Sequence, residues 1–252
     1  MALRLNKKAE RIFLGIASSV AKASGFNWLK TIEIANKLNV SIIQFHLNQF
    51  YPEFDWETNL RRFEKIYIHL PVNFNNAHPF INTVKTFSKK PLLIQHERYF
   101  AQNDIFFFRE YQFPLGFEND QNDNYGGYFK QLNTLYSAGI NLTAVLDLPR
   151  FFYQFSNNYT ENDIYNYILD ILNWCKDNNI SVIIHAIDIV NYHPHHSNWV
   201  PIFQGFLPWN DFLSYILKEF IPVQSIIFEY ENIANTVKSV YALREWFKKF
   251  VM

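Results

Sequence analysis

Residues 142–150 read Leu142-Thr-Ala-Val-Leu-Asp147-Leu-Pro-Arg150, a nearly continuous apolar run that stops on a carboxylate and meets a proline two residues later. A run this short, without polar alternation, fits a strand covered on both faces of a parallel sheet. Seven more runs of the same kind flank it: Ile12–Ala17, Ser41–His46, Lys65–His69, Leu92–His96, Pro114–Glu118, Val182–His185 and Ser225–Glu229. Segments of helical spacing lie between them. Leu29, Ile32, Ile34, Ala35 and Leu38 mark one apolar face, and Thr160 with Asp163 marks a capped start for Ile164, Tyr167, Ile168, Ile171 and Leu172. Trp209–Phe220 and Thr236–Phe250 supply two further helices. Eight strands interleaved with helices predict an α/β fold, a single (β/α)8 TIM barrel. A doubly wound open sheet would more often open on a glycine-rich turn, which is absent here.

Composition narrows the function. The 252 residues match the roughly 250 of one such barrel. An apolar share of 49% excludes global disorder. Lys and Arg total 23 against 23 Asp and Glu, a balance that argues against a nucleic-acid partner. Cys175 is the one cysteine, so neither an intramolecular disulfide nor a cysteine-based zinc site can form. There are 7 glycines, and the pair Gly126-Gly127 fits neither a phosphate loop nor a dinucleotide fingerprint. No nucleotide cofactor is expected. Arg4, Lys7, Lys8 and Arg11 ahead of Ile12–Ala17 have the outline of a leader, but Glu10 interrupts the basic region and Ser18-Ser19 close the apolar run early. The segment reads as a first strand. No stretch nears the roughly 20 apolar residues of a membrane span, so a soluble cytoplasmic protein is expected.

What ends each strand carries the chemistry. The second to fourth close on His46, His69 and His96, the fifth on Glu118, the sixth on Asp147, the seventh on His185 and the eighth on Glu229. Barrel strands converge at those ends on one mouth, where barrel enzymes place their reacting groups. Singly, His46 reads as a hydrogen-bonded packing residue, and His69 and His96 divide evenly between packing and function. As a set, Glu118, Asp147, His185 and Glu229 read as functional. Three buried carboxylates repel one another unless protons or a cation neutralise them, and a divalent ion does so economically. Oxygen ligands with one imidazole suit Mn²⁺, Mg²⁺, Co²⁺ or Zn²⁺ without choosing among them. Asp188 is a candidate for orienting an imidazole or reaching substrate, and the tract of His193, His195 and His196 reads first as a solvated loop and second as a source of extra ligands from His193 and His195. Arg150 either binds an anionic substrate group or satisfies a carboxylate.

These residues resemble the xylose-isomerase-like barrel superfamily of sugar isomerases, epimerases and endonuclease IV relatives, in order over nearly the whole chain. Ile68-His-Leu-Pro71 is similar to its third-strand histidine motif, and Phe117-Glu-Asn119 to the Glu-Asn ending its fifth strand. Leu146-Asp147 resembles the sixth-strand aspartate, and His185-Ala-Ile-Asp188 the seventh-strand His-x-x-Asp. Gln204-Gly-Phe-Leu-Pro-Trp209 resembles a Gly-x-Gly-x-x-Trp stretch, and Phe228-Glu229 the closing glutamate. The chain departs from the pattern at Gln44 and His46, where many epimerases have a glutamate, at Arg150, where a histidine is common, and at Gln204, where the first glycine would stand. The resemblance implies one domain over 1–252 and one divalent ion on Glu118, Asp147, His185 and Glu229. It also implies Glu118 and Glu229 as catalytic proton carriers on a ketose or polyol. The alternatives are a zinc phosphodiesterase of the endonuclease IV type, to whose ligands His69 and His96 correspond, and a non-catalytic member with a vestigial site. The expected partner is a small sugar-like substrate, with no membrane; the oligomeric state, homodimer included, is left open.

Overall fold

The computed structural model describes residues 12–47, 54–71, 78–85, 90–101, 104–120, 126–155, 158–193 and 195–251. The basic residues ahead of Ile12 lie outside them. Eight parallel strands, β1 (Phe13–Ala17), β2 (Ile42–His46), β3 (Lys65–His69), β4 (Leu92–His96), β5 (Leu115–Glu118), β6 (Leu142–Asp147), β7 (Ser181–His185) and β8 (Val223–Phe228), pair in sequence, and β8 closes on β1. The helices are α1 (Trp28–Leu38), α2 (Trp56–Leu60), α3 (His78–Val84), α4 (Asp104–Tyr111), α5 (Gly127–Ser137), α6 (Leu148–Phe155), α7 (Glu161–Asp177), α8 (Trp209–Lys218) and α9 (Ile233–Val251). This is the (β/α)8 barrel that the strand runs predict. The loop after β7 adds a short antiparallel pair, Asp188–Ile189 with Trp199–Val200. Among the described residues, no helix is long and apolar enough to cross a membrane.

Local chemistry accounts for the elements. Asn27 caps α1 by accepting the Lys30 N–H at 2.9 Å. At the start of α7, Thr160 and Asp163 form the reciprocal box their spacing suggests, with backbone-to-side-chain bonds of 3.0 and 3.2 Å. Boundaries shift by a few residues. β7 starts one residue earlier than read, β8 starts at Val223 and stops just short of Glu229, and α8 ends at Lys218, before Phe220 turns to a φ of 58°. Leu29, read as part of the apolar face of α1, is 57% exposed, whereas Ile32, Ile34, Ala35 and Leu38 are buried.

Strand alternation decides which side chains reach the site. Ile42, Tyr67, Ile94, Val145, Ile183 and Ile227 form a buried cluster of their own inside the barrel. Their neighbours Ile43, Ile68, Leu93, Ala144, Ile184 and Ile226 join the larger core beneath the helices. Gly116 keeps the interior layer closed: a Cβ there would lie 2.6 Å from Leu92 Cδ2 and 2.8 Å from Ile94 Cγ1. Two residues beyond each interior position, the same face presents Gln44, His69, His96, Glu118, Asp147, His185 and Glu229 at the C-terminal mouth. Register places His46 beside His69, His96 beside Glu118, and Asp147 beside His185.

Candidate metal centre

The ligand atoms of Glu118, Asp147, His185 and Glu229 all lie within 4.8 Å of one another, and all four residues are buried. His185 Nδ1 is 3.1 Å from Glu118 Oε1 and 3.2 Å from Glu229 Oε2. Ligand atoms about 2.1 Å from a shared ion stand about 3.0–3.4 Å apart, so these separations fit a common cation. A backbone lock holds two of the strands in step. Asn119 Oδ1 accepts the Asp147 N–H at 2.8 Å, and its Nδ2 donates to the Asp147 carbonyl at 3.0 Å.

Gln44 sets the proton on the imidazole. The Glu229 carboxylate only accepts, so the Gln44 amide nitrogen must face it, as the hydrogen bond between them shows. Gln44 Oε1 then faces His185 Nε2 at 3.0 Å, which must donate. Nδ1 is left turned toward two carboxylates, where either a proton or a metal ion belongs. Burial opposes a charged ring, but Glu229 and Glu118 outweigh it and raise the His185 pKa to about 10. Burial likewise opposes charge on Glu229, yet His185 beside it holds that carboxyl at about 2. Glu118 is held well below the usual carboxylate range: burial raises it, and Arg150, His96 and His185 together prevail. At Asp147 burial wins over Arg150, raising the pKa to about 6.

A second group, His69, His96 and Glu118, also has its ligand atoms within 4.8 Å of one another and shares Glu118 with the first. His69 Nε2 lies 3.0 Å from Glu118 Oε2, and the His46 ring stacks on His69 at 5.0 Å. His46 itself bonds through Nδ1 to Ser18 Oγ at 3.1 Å and stands 3.7 Å from Glu229. Burial first, then His69, lowers its pKa to about 4. Arg150 runs between the two groups and satisfies carboxylates, one of the two roles its position allows. Its Nε donates to Asp147 Oδ2 at 2.9 Å, and its Nη1 lies 3.2 Å from Glu118 Oε1.

Three candidates fall elsewhere. Asp188 is fully buried and its carboxylate accepts the backbone N–H groups of Ile189 (2.9 Å), Gly205 (2.9 Å) and Leu207 (3.2 Å). It pins the loop after β7 and does not reach the centre. Gly205 is required by that packing, since a Cβ there would meet Asp188 Oδ1 at 2.3 Å. His193 and His195 are exposed, and His195 Nδ1 bonds to Ser197 Oγ at 2.6 Å. The tract contributes His196 instead. Its ring packs edge-on to Trp199 at 4.3 Å, and both line a cleft of about 130 Å³ with Arg150, Tyr153, Asp147 and Glu229. Gln44 and His196 are the residues that strand-end reading passes over. For Gln44 the signal was present, because it sits two residues before His46 on the inward face.

No family model and no curated protein matches the sequence. Solved structures do match. IolI protein with a bound zinc atom aligns with a TM-score of 0.64 at 14% identity, over 95% of this chain and 98% of that one. The probable 3-DHS dehydratase AsbF from Bacillus anthracis aligns at 0.62 and 10% identity, over 92% and 99%. A xylose isomerase domain-containing protein from Salmonella typhimurium aligns at 0.62 and 8% identity, over 96% and 97%. Likeness at this identity is likeness of fold, and the chain has the fold of the xylose-isomerase-like TIM barrels.

Proposed function

We propose that this barrel is a divalent-metal-dependent isomerase or epimerase that moves a carbon-bound proton of a small ketose or polyol. The observation that carries the reading is the convergence of Glu118 Oε1 and Glu229 Oε2 on His185 Nδ1, at 3.1 and 3.2 Å, with Asp147 completing the set beside an open cleft. Glu118, Asp147, His185 and Glu229 hold the ion. When bound, it supplies Lewis acidity for a substrate carbonyl and hydroxyl. The chain's own residues do the rest. Glu118 and Glu229 take and return the proton. Both have pKa values held below the usual range in the metal-free chain, so each is ionised near neutral pH, the charge state a proton acceptor needs. Gln44 keeps His185 and Glu229 in fixed orientation, and Trp199 and Tyr153 line the cleft together with Glu229. Structural neighbours support the class: besides IolI with its zinc, a sugar phosphate isomerase/epimerase from Parabacteroides distasonis aligns at a TM-score of 0.55.

The test is solvent proton exchange. Incubation of a ketose panel in D₂O with Mn²⁺- or Zn²⁺-loaded protein should label the carbon beside the carbonyl. Glu118→Gln or Glu229→Gln should each cut labelling by about 10²-fold or more. Interconversion without deuterium uptake would replace proton transfer by hydride shift. Neither labelling nor interconversion across the panel, with metal bound, would remove the isomerase reading.

A further inference from the structure

Two groups of ligand atoms adjoin at the mouth and share Glu118, so the side chains alone offer places for two ions. Between them lies a single guanidinium. Arg150 Nη1 is 2.6 Å from His96 Nδ1, 3.2 Å from Glu118 Oε1 and 3.2 Å from the Asn119 carbonyl oxygen, while Nε is 2.9 Å from Asp147 Oδ2. An imidazole nitrogen, a carboxylate oxygen and a carbonyl oxygen around one point are the donor set that a divalent ion takes. Here that set is spent on N–H donors. An arginine is always charged and always a donor, so His96 must present its Nδ1 lone pair to Nη1 and has none left on that nitrogen for a metal. The arginine is anchored by its backbone as well as its head. Its N–H lies 3.4 Å from Asp147 Oδ1 at the start of α6, directly after β6.

We propose that Arg150 is a tethered cation standing in place of a second metal ion, so that the centre holds one ion and would hold two if the guanidinium were removed. This rests on the metal-binding reading of Glu118, Asp147, His185 and Glu229. The second position, formed by His69, His96 and Glu118, would then be latent: its ligands are assembled, and one neighbouring residue closes it. The substitution also bears on chemistry, because a fixed guanidinium can neutralise Glu118 but has no open coordination position for a water or a substrate oxygen.

The experiment is metal stoichiometry. Wild-type chain, Arg150→Met (similar length, no charge) and Arg150→Lys (charge kept) are stripped with chelator, loaded with Zn²⁺, freed of excess ion and analysed for zinc per chain. A parallel titration uses Co²⁺ absorption. The expected result is one equivalent in wild type and in Arg150→Lys, and two in Arg150→Met, the second lost again when His96→Ala is added. Should Arg150→Met fail to fold, His96→Ala in the wild-type background decides. It should still bind one equivalent of Co²⁺, losing no more affinity than the roughly 10- to 100-fold of a lost supporting group, whereas removal of a true ligand costs more. Two equivalents in wild type, a single equivalent in folded Arg150→Met, or a large loss of affinity in His96→Ala would each overturn the proposal while leaving the four-ligand centre intact. A wild-type chain that takes up no ion defeats both.

Discussion

Replacing Gln44 by leucine tests the internal logic of the centre. The side chain is fully buried, its Oε1 accepts from His185 Nε2 at 3.0 Å, and its amide nitrogen donates to Glu229. Leucine nearly conserves the volume, so the change removes hydrogen bonds with little cavity. It leaves one buried donor, the His185 Nε2–H, and one Glu229 carboxylate oxygen without the amide. Each orphaned group costs about 1–3 kcal/mol, so Gln44→Leu should lower the stability of the metal-free protein by about 2–6 kcal/mol. The same substitution frees the imidazole to turn and to shift its proton between nitrogens. Zinc affinity should therefore fall by about 10- to 100-fold, the usual cost of losing a group that orients a ligand. Urea unfolding in chelator gives the first quantity, and competition titration with a fluorescent zinc chelator gives the second. Loss of stability with unchanged zinc affinity would make Gln44 a packing residue only. A change of less than about 0.5 kcal/mol, the scatter of inert substitutions, together with wild-type affinity would refute the hydrogen-bond assignment entirely.

Two further outcomes follow from the same contacts. Asp188→Ala deprives three backbone N–H groups of their acceptor, so it should cost at least about 3 kcal/mol in urea unfolding and open residues 201–208 to limited proteolysis; wild-type stability would show that the loop is held by other means. Stability of the chelator-treated protein should peak between about pH 4.5 and 6.5. His185 has its pKa raised from 6.5 to about 10, so its contribution is full below 6.5 and fades as pH rises through 10. Glu229 has its pKa lowered from 4.5 to about 2, so its contribution is full above 4.5 and fades as pH falls toward 2. Thermal melts that fall away on both sides of that plateau, from about pH 3 to about pH 10, in wild type but not in His185→Gln would support the pair as the cause; identical profiles would not.

The barrel was legible because parallel strands buried on both faces read as continuous apolar runs, and all eight lie within a few residues of where those runs end. The mouth was legible for a related reason: an ionisable residue closing an apolar run has nowhere to point but the inward face. Asp188 misled because its spacing from His185 is the same whether its carboxylate faces a ligand or three backbone N–H groups; only the path of residues 201–208 decides. His193 and His195 are exposed, as a solvated loop requires, and sequence density in a loop does not set direction: His196, one residue on, is the histidine that lines the cleft. Leu29 shows the limit of helical periodicity, which locates a stripe but not its edge. The role of Arg150 in joining His96, Glu118 and Asp147 depends on the reach of a flexible side chain across three strands, which no spacing encodes.

Glu118, Asp147, His185 and Glu229 are proposed to hold one divalent ion together. Elemental analysis of protein purified without chelator, for wild type, Asp147→Asn and His185→Ala, tests this most directly. About one equivalent of divalent metal per chain in wild type, lost in both variants while their folds survive by circular dichroism, is the predicted result. Full metal content in the two variants, or a metal-free wild type that gains no thermal stability from added Mn²⁺ or Zn²⁺, would contradict it.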